Sequence, residues 1–163
     1  MTAAASAPRR NADEQRKLEA ALTELFELRI SFNRTLGLKV LRLDPGGPQL
    51  RFEMRPELVG HFLYGRLHGG VISATLDAMA GLAIMVALGE KHADESSDQV
   101  MQRFARLGTI DLRVDYLRPG VGRYFTASAE VLRLGGRVGT AQMRLIDDAD
   151  RLIATGAAAY MLN

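Results

Sequence analysis

The pattern of hydrophobic and polar residues predicts a helix and a hairpin in the first third of the chain. From Asp13 to about Asn33, apolar residues recur at helical spacing with charged residues between them, which predicts a long amphipathic helix. Residues 36–43 and 49–56 each alternate between apolar and polar positions and flank the turn-forming sequence DPGGP, so they predict two paired strands. Residues 57–67 show neither period and are expected to form a loop.

The most hydrophobic segment runs from Val71 to Leu88 and contains a single carboxylate, Asp77. A membrane span is disfavoured, because an ionised Asp at the centre costs roughly 2.5–3.5 kcal/mol and because small residues dilute the hydrophobicity. A helix that is apolar on all sides is typical of a helix enclosed by protein. The segment is therefore expected to be a buried core helix.

Four further strands are expected in the second half of the chain, after a polar and then weakly helical stretch at residues 89–107. In the first of them, residues 109–118, strict alternation places Thr109 on the face opposite Ile110 and Leu112. Successive hairpins indicate an antiparallel sheet. The predicted class is α+β, with an antiparallel sheet wrapped around a long central apolar helix and an extra N-terminal amphipathic helix.

Length and composition narrow the possible classes of protein. The chain has 163 residues, the size of one domain, and we expect residues 1–12 to be a disordered tail and 13–163 to form a single domain. The tail lacks the apolar core of a secretory signal, so a cytoplasmic location is expected. A net charge of +2 is too small to indicate nucleic-acid binding, and no nucleic-acid partner is expected. The chain has no cysteine and no close pair among its three histidines, so no metal site is expected.

Three motifs carry a resemblance to a known family. They are "GRLHGG", then "TLDAMAG" with an acid nine residues after the histidine, and "GTIDLRVDYLRP" on the first strand after the helix. Over residues 35–161 the chain resembles the hotdog-fold thioesterases, in particular the PaaI-like acyl-CoA thioesterase branch. The resemblance implies a hotdog fold and hydrolysis of acyl-CoA thioesters, with coenzyme A as part of the substrate and no cofactor.

The same resemblance implies roles for individual residues. Asp77 is expected to act as general base on water or, alternatively, as nucleophile, and Gly69, with Gly70 beside it, to form the oxyanion hole. Thr109 would assist at the water. In this family the acid of one subunit faces the His-Gly-Gly turn of the other. A homodimer, alone or paired into a tetramer, would therefore build the site.

One position departs from the family pattern. Phe62 stands where the family often has an asparagine, and His61 is a candidate to take over by orienting the thioester or the water. His68 is interpreted either as a residue that stabilises the turn at the helix start or as a proton shuttle. Asp77, His61 and Thr109 each also have a purely structural interpretation, which the sequence leaves open.

The physical properties of these residues support the same chemistry independently of the family resemblance. The first backbone N–H groups of a helix are unpaired and stabilise negative charge, and glycines let a substrate approach them closely. An acid held among apolar side chains is a better proton acceptor than one in water. Asp77 lies about two turns, roughly 10 Å, along the helix from the two glycines. This separation also favours a site shared between two subunits.

Candidate substrate contacts lie outside the motifs. Arg118 and Arg137 are candidates for binding the phosphates of coenzyme A, because guanidinium groups bind phosphate bidentately. Leu63, Met79 and Phe104 are candidates for lining an apolar acyl slot, together with Leu82, Met85 and the segment 100–104. Because only 6% of residues are aromatic, medium or long aliphatic acyl groups are preferred over aryl groups.

Two other functions remain possible at this point. The first is a non-catalytic acyl-CoA-binding module, against which the acid in the apolar helix argues, since a pure binder gains nothing from it. The second is a hydratase or dehydratase on the same fold, which would need a histidine and a carboxylate to act as a pair. His68 and Asp77 are nine residues apart, so only a contact between subunits could form that pair.

Overall fold

The computed structural model describes residues 9–163, and its elements follow the predicted order. The helices are α1 (Ala12–Glu24), α2 (Ser31–Leu36), α3 (Gly69–Lys91) and α4 (Ser97–Arg103). The strands are β1 (Lys39–Arg42), β2 (Gln49–Glu53), β3 (Val59–His61), β4 (Arg66–Leu67), β5 (Gly108–Tyr116), β6 (Tyr124–Leu134), β7 (Val138–Asp147) and β8 (Leu152–Met161). The predicted α+β class, with a sheet around a central helix, is confirmed.

Six strands form one antiparallel sheet in the order β1-β2-β6-β7-β8-β5. The short edge is the four-residue strand β1, and the long edge is the nine-residue strand β5, which pairs only with β8. Strands β3 and β4 form a separate two-stranded ribbon. The expectation of a plain loop over residues 57–67 is therefore wrong, because two strands this short show no readable alternation.

Helix α3 packs on the inner face of the sheet and contacts β5, β6, β7 and β8. It contains an 18-residue window with a mean hydropathy of 2.0, long and apolar enough to cross a membrane, and 67% of that window is buried inside the protein. Its fully buried side chains fill the core together with those of β2, β6 and β7; they include Leu76, Met79, Leu82, Ile84 and Met85. Burial of such side chains is the main favourable term in folding.

The N-terminal amphipathic helix is interrupted rather than continuous to residue 33. A π-helical turn, Leu25–Arg29, follows α1, and Ile30 then takes an extended conformation (φ −77°, ψ 102°) before α2 begins. The carboxylate of Glu27 in the π turn accepts hydrogen bonds from Val40 N (2.8 Å) and Lys39 Nζ (2.9 Å). These contacts with β1 accompany the break, and α2 ends at Gly37 with φ 74°.

The start of α1 is tied to the end of α3. The guanidinium of Arg10 donates hydrogen bonds to the carbonyls of Gly89 (2.8 Å), His92 (3.2 Å) and Glu95 (2.8 Å). A cation at these C-terminal carbonyls is favoured by the helix dipole. The predicted disordered tail, residues 1–12, lies for the most part outside the described residues.

Candidate active site

The carboxylate of Asp77, near the middle of α3, is held by two hydroxyl groups. Its Oδ1 accepts hydrogen bonds from Thr109 Oγ1 (2.9 Å) and from the hydroxyl of Tyr160 (2.5 Å). Within residues 9–163, no side chain or backbone group donates to Oδ2. One oxygen thus fixes the orientation of the carboxylate, while the other stays available to a molecule in the adjoining cavity.

A β-bulge in β5 puts Thr109 in contact with Asp77. Thr109 pairs with Tyr160 and Asp111 pairs with Ala159, so Ile110 is an extra residue on β5. Strict alternation predicted Thr109 on the face opposite Leu112, and this is wrong because the bulge changes the side-chain parity between them. Bulges commonly redirect a side chain next to a functional site in this way.

Tyr160 is the site residue that the sequence reasoning missed. It lies on β8, is 5% exposed, and its hydroxyl also lies 2.6 Å from the backbone carbonyl of Asp77. Burial, followed by the hydrogen bond to Asp77, raises the pKa of Tyr160 well above its usual value, so it stays protonated and can donate. A sequence signal existed: among the inward positions of β8, Tyr160 is the one with a polar side chain.

A cavity of about 260 Å³ opens beside this cluster. Asp77, Thr109, Tyr160 and Asn33 are its polar residues. The remaining lining residues are apolar or glycine: Phe26, Ile30, Phe32, Ala74, Ala78, Gly81, Phe104, Leu107 and Gly108. Phe104, a candidate for lining an apolar slot, lies in this lining. The wall formed by the N-terminal segment, residues 26–33, was not anticipated.

The His-Gly-Gly turn forms the beginning of α3. His68 is the N-cap, and its Nδ1 accepts a hydrogen bond from Gly70 N (2.8 Å), so the amide of Gly70 is already paired. The amide of Gly69, the first residue of α3, has no acceptor among the described residues. The Tyr116 hydroxyl donates to the carbonyl of Gly69 (3.2 Å) and anchors the turn to the end of β5. His68 therefore stabilises the turn, and Gly69 offers the free N–H.

A single chain does not bring the glycines and the acid together. Gly69 precedes Asp77 by eight residues, or about 12 Å along the helix, and does not line its cavity. His61 lies outside the cavity and packs against the ring of Tyr64, with 4.8 Å between ring centroids. Beside it, Phe62 and Leu63 are 85% and 68% exposed.

Met79 is a candidate for lining an apolar acyl slot, but it does not line this cavity. It is completely buried in the core, because it lies two positions after Asp77 and so faces away from it around the helix. The helix residues that do share the face of Asp77 are Ala74, Ala78 and Gly81, at spacings of three, one and four. Their small side chains leave the space that the cavity occupies.

The two candidate arginines lie at opposite ends of β8. Arg118 Nη1 donates to the carbonyl of Leu152 (2.9 Å), whereas the backbone carbonyl of Arg137 accepts from Leu162 N (2.9 Å). Ten residues of strand span roughly 33 Å, so the two cannot bind one phosphate within a chain. Arg118 lines a second cavity of about 390 Å³, together with Tyr64, Arg66, Pro119, Val121, Arg151 and Ile153.

The side chains suited to metal binding are dispersed. Over residues 9–163, no group of three histidine, aspartate or glutamate side chains is placed to hold a metal ion.

Comparison with known proteins adds a family to this geometry. A family model described as "Thioesterase superfamily" matches residues 64–154. The medium/long-chain acyl-CoA thioesterase YigI of Salmonella typhimurium is 43% identical over 139 residues, which are 85% of this chain and 90% of that protein. YigI of Escherichia coli is 42% identical over the same length. A crystal structure from Shewanella oneidensis, described as related to the thioesterase superfamily, matches with a TM-score of 0.87 and 37% identity, covering 94% of this chain and all of that one.

Proposed function

Because the chain belongs to the thioesterase superfamily, we propose that it hydrolyses medium- or long-chain acyl-CoA thioesters with Asp77 as the general base. The family model and the structure from Shewanella oneidensis confirm the resemblance seen in the sequence motifs, at the level of the family and of the hotdog fold. The observation that carries the proposal is the carboxylate of Asp77, whose Oδ2 has no donor in the part of the chain that the structure describes and which lines a largely apolar cavity. The substrate class follows from the names of the two YigI relatives.

The proposed reaction uses water as nucleophile. Asp77 Oδ2 takes one proton from a water molecule while the water oxygen bonds to the thioester carbonyl carbon, and the carbonyl electrons move onto the oxygen. When the carbonyl re-forms, the carbon–sulfur bond breaks. The leaving sulfur takes the proton back from the Asp77 carboxyl. The products are a free acid and coenzyme A, and the balance requires no cofactor.

The site becomes complete in a dimer formed through the exposed edge of β5. The carbonyl of Gly69 accepts a hydrogen bond from Tyr116 at the end of β5, whereas Asp77 accepts a hydrogen bond from Thr109 at its start. Pairing two β5 strands antiparallel across a two-fold axis brings the end of one beside the start of the other. The N–H of Gly69 of the partner subunit would then face the carbonyl of a thioester held at Asp77.

The same dimer accounts for the exposed hydrophobic residues near the turn. Phe62 and Leu63 belong to the connection that leads through β4 into Gly69, so they lie at the same end of the molecule as the turn. Exposed large apolar side chains that are adjacent to one another mark a contact surface. In the proposed dimer, Phe62 and Leu63 cover the acyl cavity of the partner subunit. Leu63 would contact the acyl group in this way.

The coenzyme A end of the substrate is assigned to the cavity around Arg118. Its lining contains three guanidinium groups and Tyr64, over whose ring Arg66 is stacked at 4.5 Å from the centroid. Guanidinium groups bind phosphates and an aromatic ring stacks on a base. This cavity lies at the Gly69 end of one subunit, and the proposed pairing brings Arg137 of the partner subunit to that same end of the joined sheet.

Thiol release from a panel of acyl-CoAs tests the chemistry. Asp77→Asn keeps the shape of the side chain but cannot accept the proton, so kcat is expected to fall by at least ~100-fold. Stability is expected to change by less than about 1 kcal/mol, because Asn retains an acceptor for Thr109 and Tyr160. If the wild type binds acyl-CoA and releases no thiol, the non-catalytic binding module replaces this proposal.

The shared site is tested by a proline at the first position of α3. Gly69→Pro removes the N–H in question and fits the backbone, because proline suits the first helical position and His68 already has the extended conformation (φ −67°, ψ 136°) that precedes proline. It also adds a Cβ that would lie 3.4 Å from the ring of Tyr116, a contact that Gly69→Ala reproduces. Activity is expected to fall roughly 100-fold or more, whereas Gly69→Ala, which keeps the N–H, falls far less.

Mixing the two inactive variants then distinguishes a shared site from a single-chain site. In a mixed dimer of Asp77→Asn with Gly69→Pro, one of the two sites has both groups intact. Random reassembly of equal amounts should therefore restore about a quarter of wild-type activity. A mixture that stays inactive while exchanging subunits would contradict the site at the β5 interface.

A further inference from the structure

Gly81 is a glycine in the interior of α3 that the helix itself does not need. It lies on the face of Asp77 and lines the Asp77 cavity. Within residues 9–163 the glycines with positive φ are Gly37 and Gly65, so the backbone conformation at position 81 suits any residue. Glycine in the interior of a helix is less stable than alanine. The reason for a glycine here therefore lies in its surroundings.

The space beside Gly81 is wide enough for a methyl group. A Cβ at this position would lie 3.6 Å from the hydroxyl oxygen of Tyr160, 3.7 Å from its Cε1 and 3.9 Å from Cζ of Phe26, which are its nearest neighbours. These are favourable van der Waals distances, so alanine fits without displacing either ring. Tyr160 and Phe26 both line the Asp77 cavity, and the free space between them belongs to it.

Gly89, on the same helix, shows what a glycine required by packing looks like. A Cβ at Gly89 would lie 3.2 Å from Cδ2 of Leu18, closer than the optimum for two carbon atoms. The absence of a side chain at Gly89 thus lets Leu18 of α1 lie against α3. Packing explains Gly89 but not Gly81, whose distinguishing feature is the cavity.

Gly81 marks the closed end of that cavity along α3. Ala74, at the other end of the row of lining residues on this helix, is half-buried, whereas Gly81 is buried. On the following helical turn, Ile84 and Met85 are completely buried and do not line the cavity. The cavity therefore stops at Gly81.

The opposite wall shows the same change from exposed to buried. Phe32 is 60% exposed, whereas Phe26 is 2% exposed and packs edge-on against the ring of Phe104, with 6.1 Å between the centroids. Phe26 is also the wall residue nearest to the Cβ position of Gly81 after Tyr160. Phe26 and Gly81 thus close the cavity, one helical turn or about 6 Å beyond Asp77.

We propose that Gly81 sets the upper limit on the length of the acyl chain; this inference rests on the function proposed above. With the thioester carbonyl carbon held at Asp77, the chain extends into the apolar part of the cavity, toward Gly81 and Phe26. Methylene groups that reach the closed end occupy the space that a side chain at position 81 would fill. The group selected is a linear aliphatic chain, and Gly81 determines specificity without touching the reacting atoms.

Gly81→Ala tests the assignment on a series of linear saturated acyl-CoAs of increasing length. We expect kcat/KM to stay unchanged for the shortest acyl groups and to fall at least ~10-fold for the longest ones that the wild type accepts, because one methylene in an apolar pocket changes kcat/KM by about 10- to 200-fold. The melting temperature is expected to stay equal or to rise, because alanine favours the helix. A shift in chain-length preference with equal or higher stability is not expected of a merely structural glycine.

Gly89→Ala is the matched control. It makes the same substitution in the same helix, outside the Asp77 cavity, and adds a Cβ that presses on Leu18. Its melting temperature is expected to fall, whereas the ratio of kcat/KM between long and short acyl groups should equal that of the wild type.

A binding series gives a second readout that needs no hydrolysis. The affinity for each acyl-CoA is measured by calorimetry in Asp77→Asn and in Asp77→Asn/Gly81→Ala. The added alanine should weaken binding of the long acyl groups roughly 10-fold or more and leave binding of the short ones unchanged.

Three results would overturn the inference. An unchanged length profile in Gly81→Ala would show that acyl chains do not reach Gly81. An equal loss at every length would mean that the methyl group acts by displacing Tyr160. A variant that does not fold would show that the space beside Gly81 is not free. Failure of the wild type to release thiol would instead refute the proposed function, and the binding series would still measure the length limit.

Discussion

Asp77 and Asp147 are two carboxylates in largely buried surroundings that differ in every partner. Asp147, at the end of β7, accepts hydrogen bonds on Oδ1 from the backbone of Ala149 (3.0 Å) and Arg151 (2.9 Å). Its Oδ2 accepts from the guanidinium of Arg151 (2.7 Å). Both oxygens are occupied, and one partner is a cation. Asp77 has two uncharged donors on one oxygen and, among residues 9–163, none on the other.

This difference separates a structural acid, Asp147, from the acid for which we propose a catalytic role, Asp77. Burial alone would raise the pKa of Asp147, but the hydrogen bonds from Arg151 and Ala149 outweigh it and hold that pKa below its usual value. Asp147 closes the turn between β7 and β8 and has no oxygen left for a substrate. Burial is therefore a poor guide to function here, and the unpaired oxygen beside a cavity is the better one.

The comparison predicts opposite consequences of the same substitution. Asp147→Asn is expected to lower the free energy of unfolding by about 2 kcal/mol, because charge-assisted hydrogen bonds are lost, and to leave kcat of the folded enzyme unchanged. For a chain of this size the melting temperature should fall by roughly 4–8 °C. Thermal unfolding measures the change in stability of Asp147→Asn and Asp77→Asn, and thiol-release assays measure the change in their kcat.

The pH dependence of this effect has a defined sign. Because the folded pKa of Asp147 is lowered, its contribution is complete above the unfolded value of about 3.9 and is lost as the pH falls through the folded value. The stability difference between wild type and Asp147→Asn should be constant above about pH 5 and shrink below pH 4. A constant difference down to pH 2 would contradict the assignment.

A smaller effect is expected from the donors that orient Asp77. Tyr160→Phe removes the hydroxyl at 2.5 Å and should lower kcat about 10-fold, because a hydrogen bond to a carboxylate contributes on the order of 1.5 kcal/mol. Thr109→Val serves as the comparison and should lower kcat less, because its hydrogen bond to Asp77 Oδ1 is longer than that of Tyr160 (2.9 Å against 2.5 Å). Equal kcat in wild type and Tyr160→Phe would show that Oδ1 needs no orientation.

The smallest effect concerns alkaline stability. Because the folded pKa of Tyr160 is raised, its contribution is complete below the unfolded value of about 10 and is lost as the pH rises above it. The stability difference between wild type and Tyr160→Phe should narrow by about 1.4 kcal/mol between pH 9 and pH 11. Denaturant titrations at these pH values measure it, and parallel curves would contradict the buried, protonated hydroxyl.

The features predictable from the sequence are those set by local patterns. The long apolar run predicted α3, and the turn residues and the alternation of apolar and polar positions predicted the strands around it. The spacing of the motifs was sufficient to identify Asp77 as a candidate catalytic residue. The break at Ile30 was not predictable, because the amphipathic pattern continues through it and the contact of Glu27 with β1 joins residues distant in sequence.

The assembly of the site depends on pairing that local patterns do not contain. The extra residue Ile110 is defined only by the register of β5 against β8, and that register decides which face Thr109 occupies. Tyr160 contacts Asp77 from 83 residues away. The sequence pattern gives no sign that Asn33 is buried. Its burial results from the packing of α2 beside α3.

One wall of the cavity, formed by Phe26, Ile30, Phe32 and Asn33, comes from a part of the chain that contributes no hydrogen bond to Asp77. Residues 26–33 precede the whole sheet, whereas Asp77, Thr109 and Tyr160 belong to α3 and to the adjacent strands β5 and β8. One wall of the proposed acyl pocket is thus encoded in a stretch of the gene separate from the three residues of the proposed catalytic cluster. Sequence divergence in residues 26–33 can therefore change which acyl chains fit the pocket, while Asp77, Thr109 and Tyr160 are inherited unchanged.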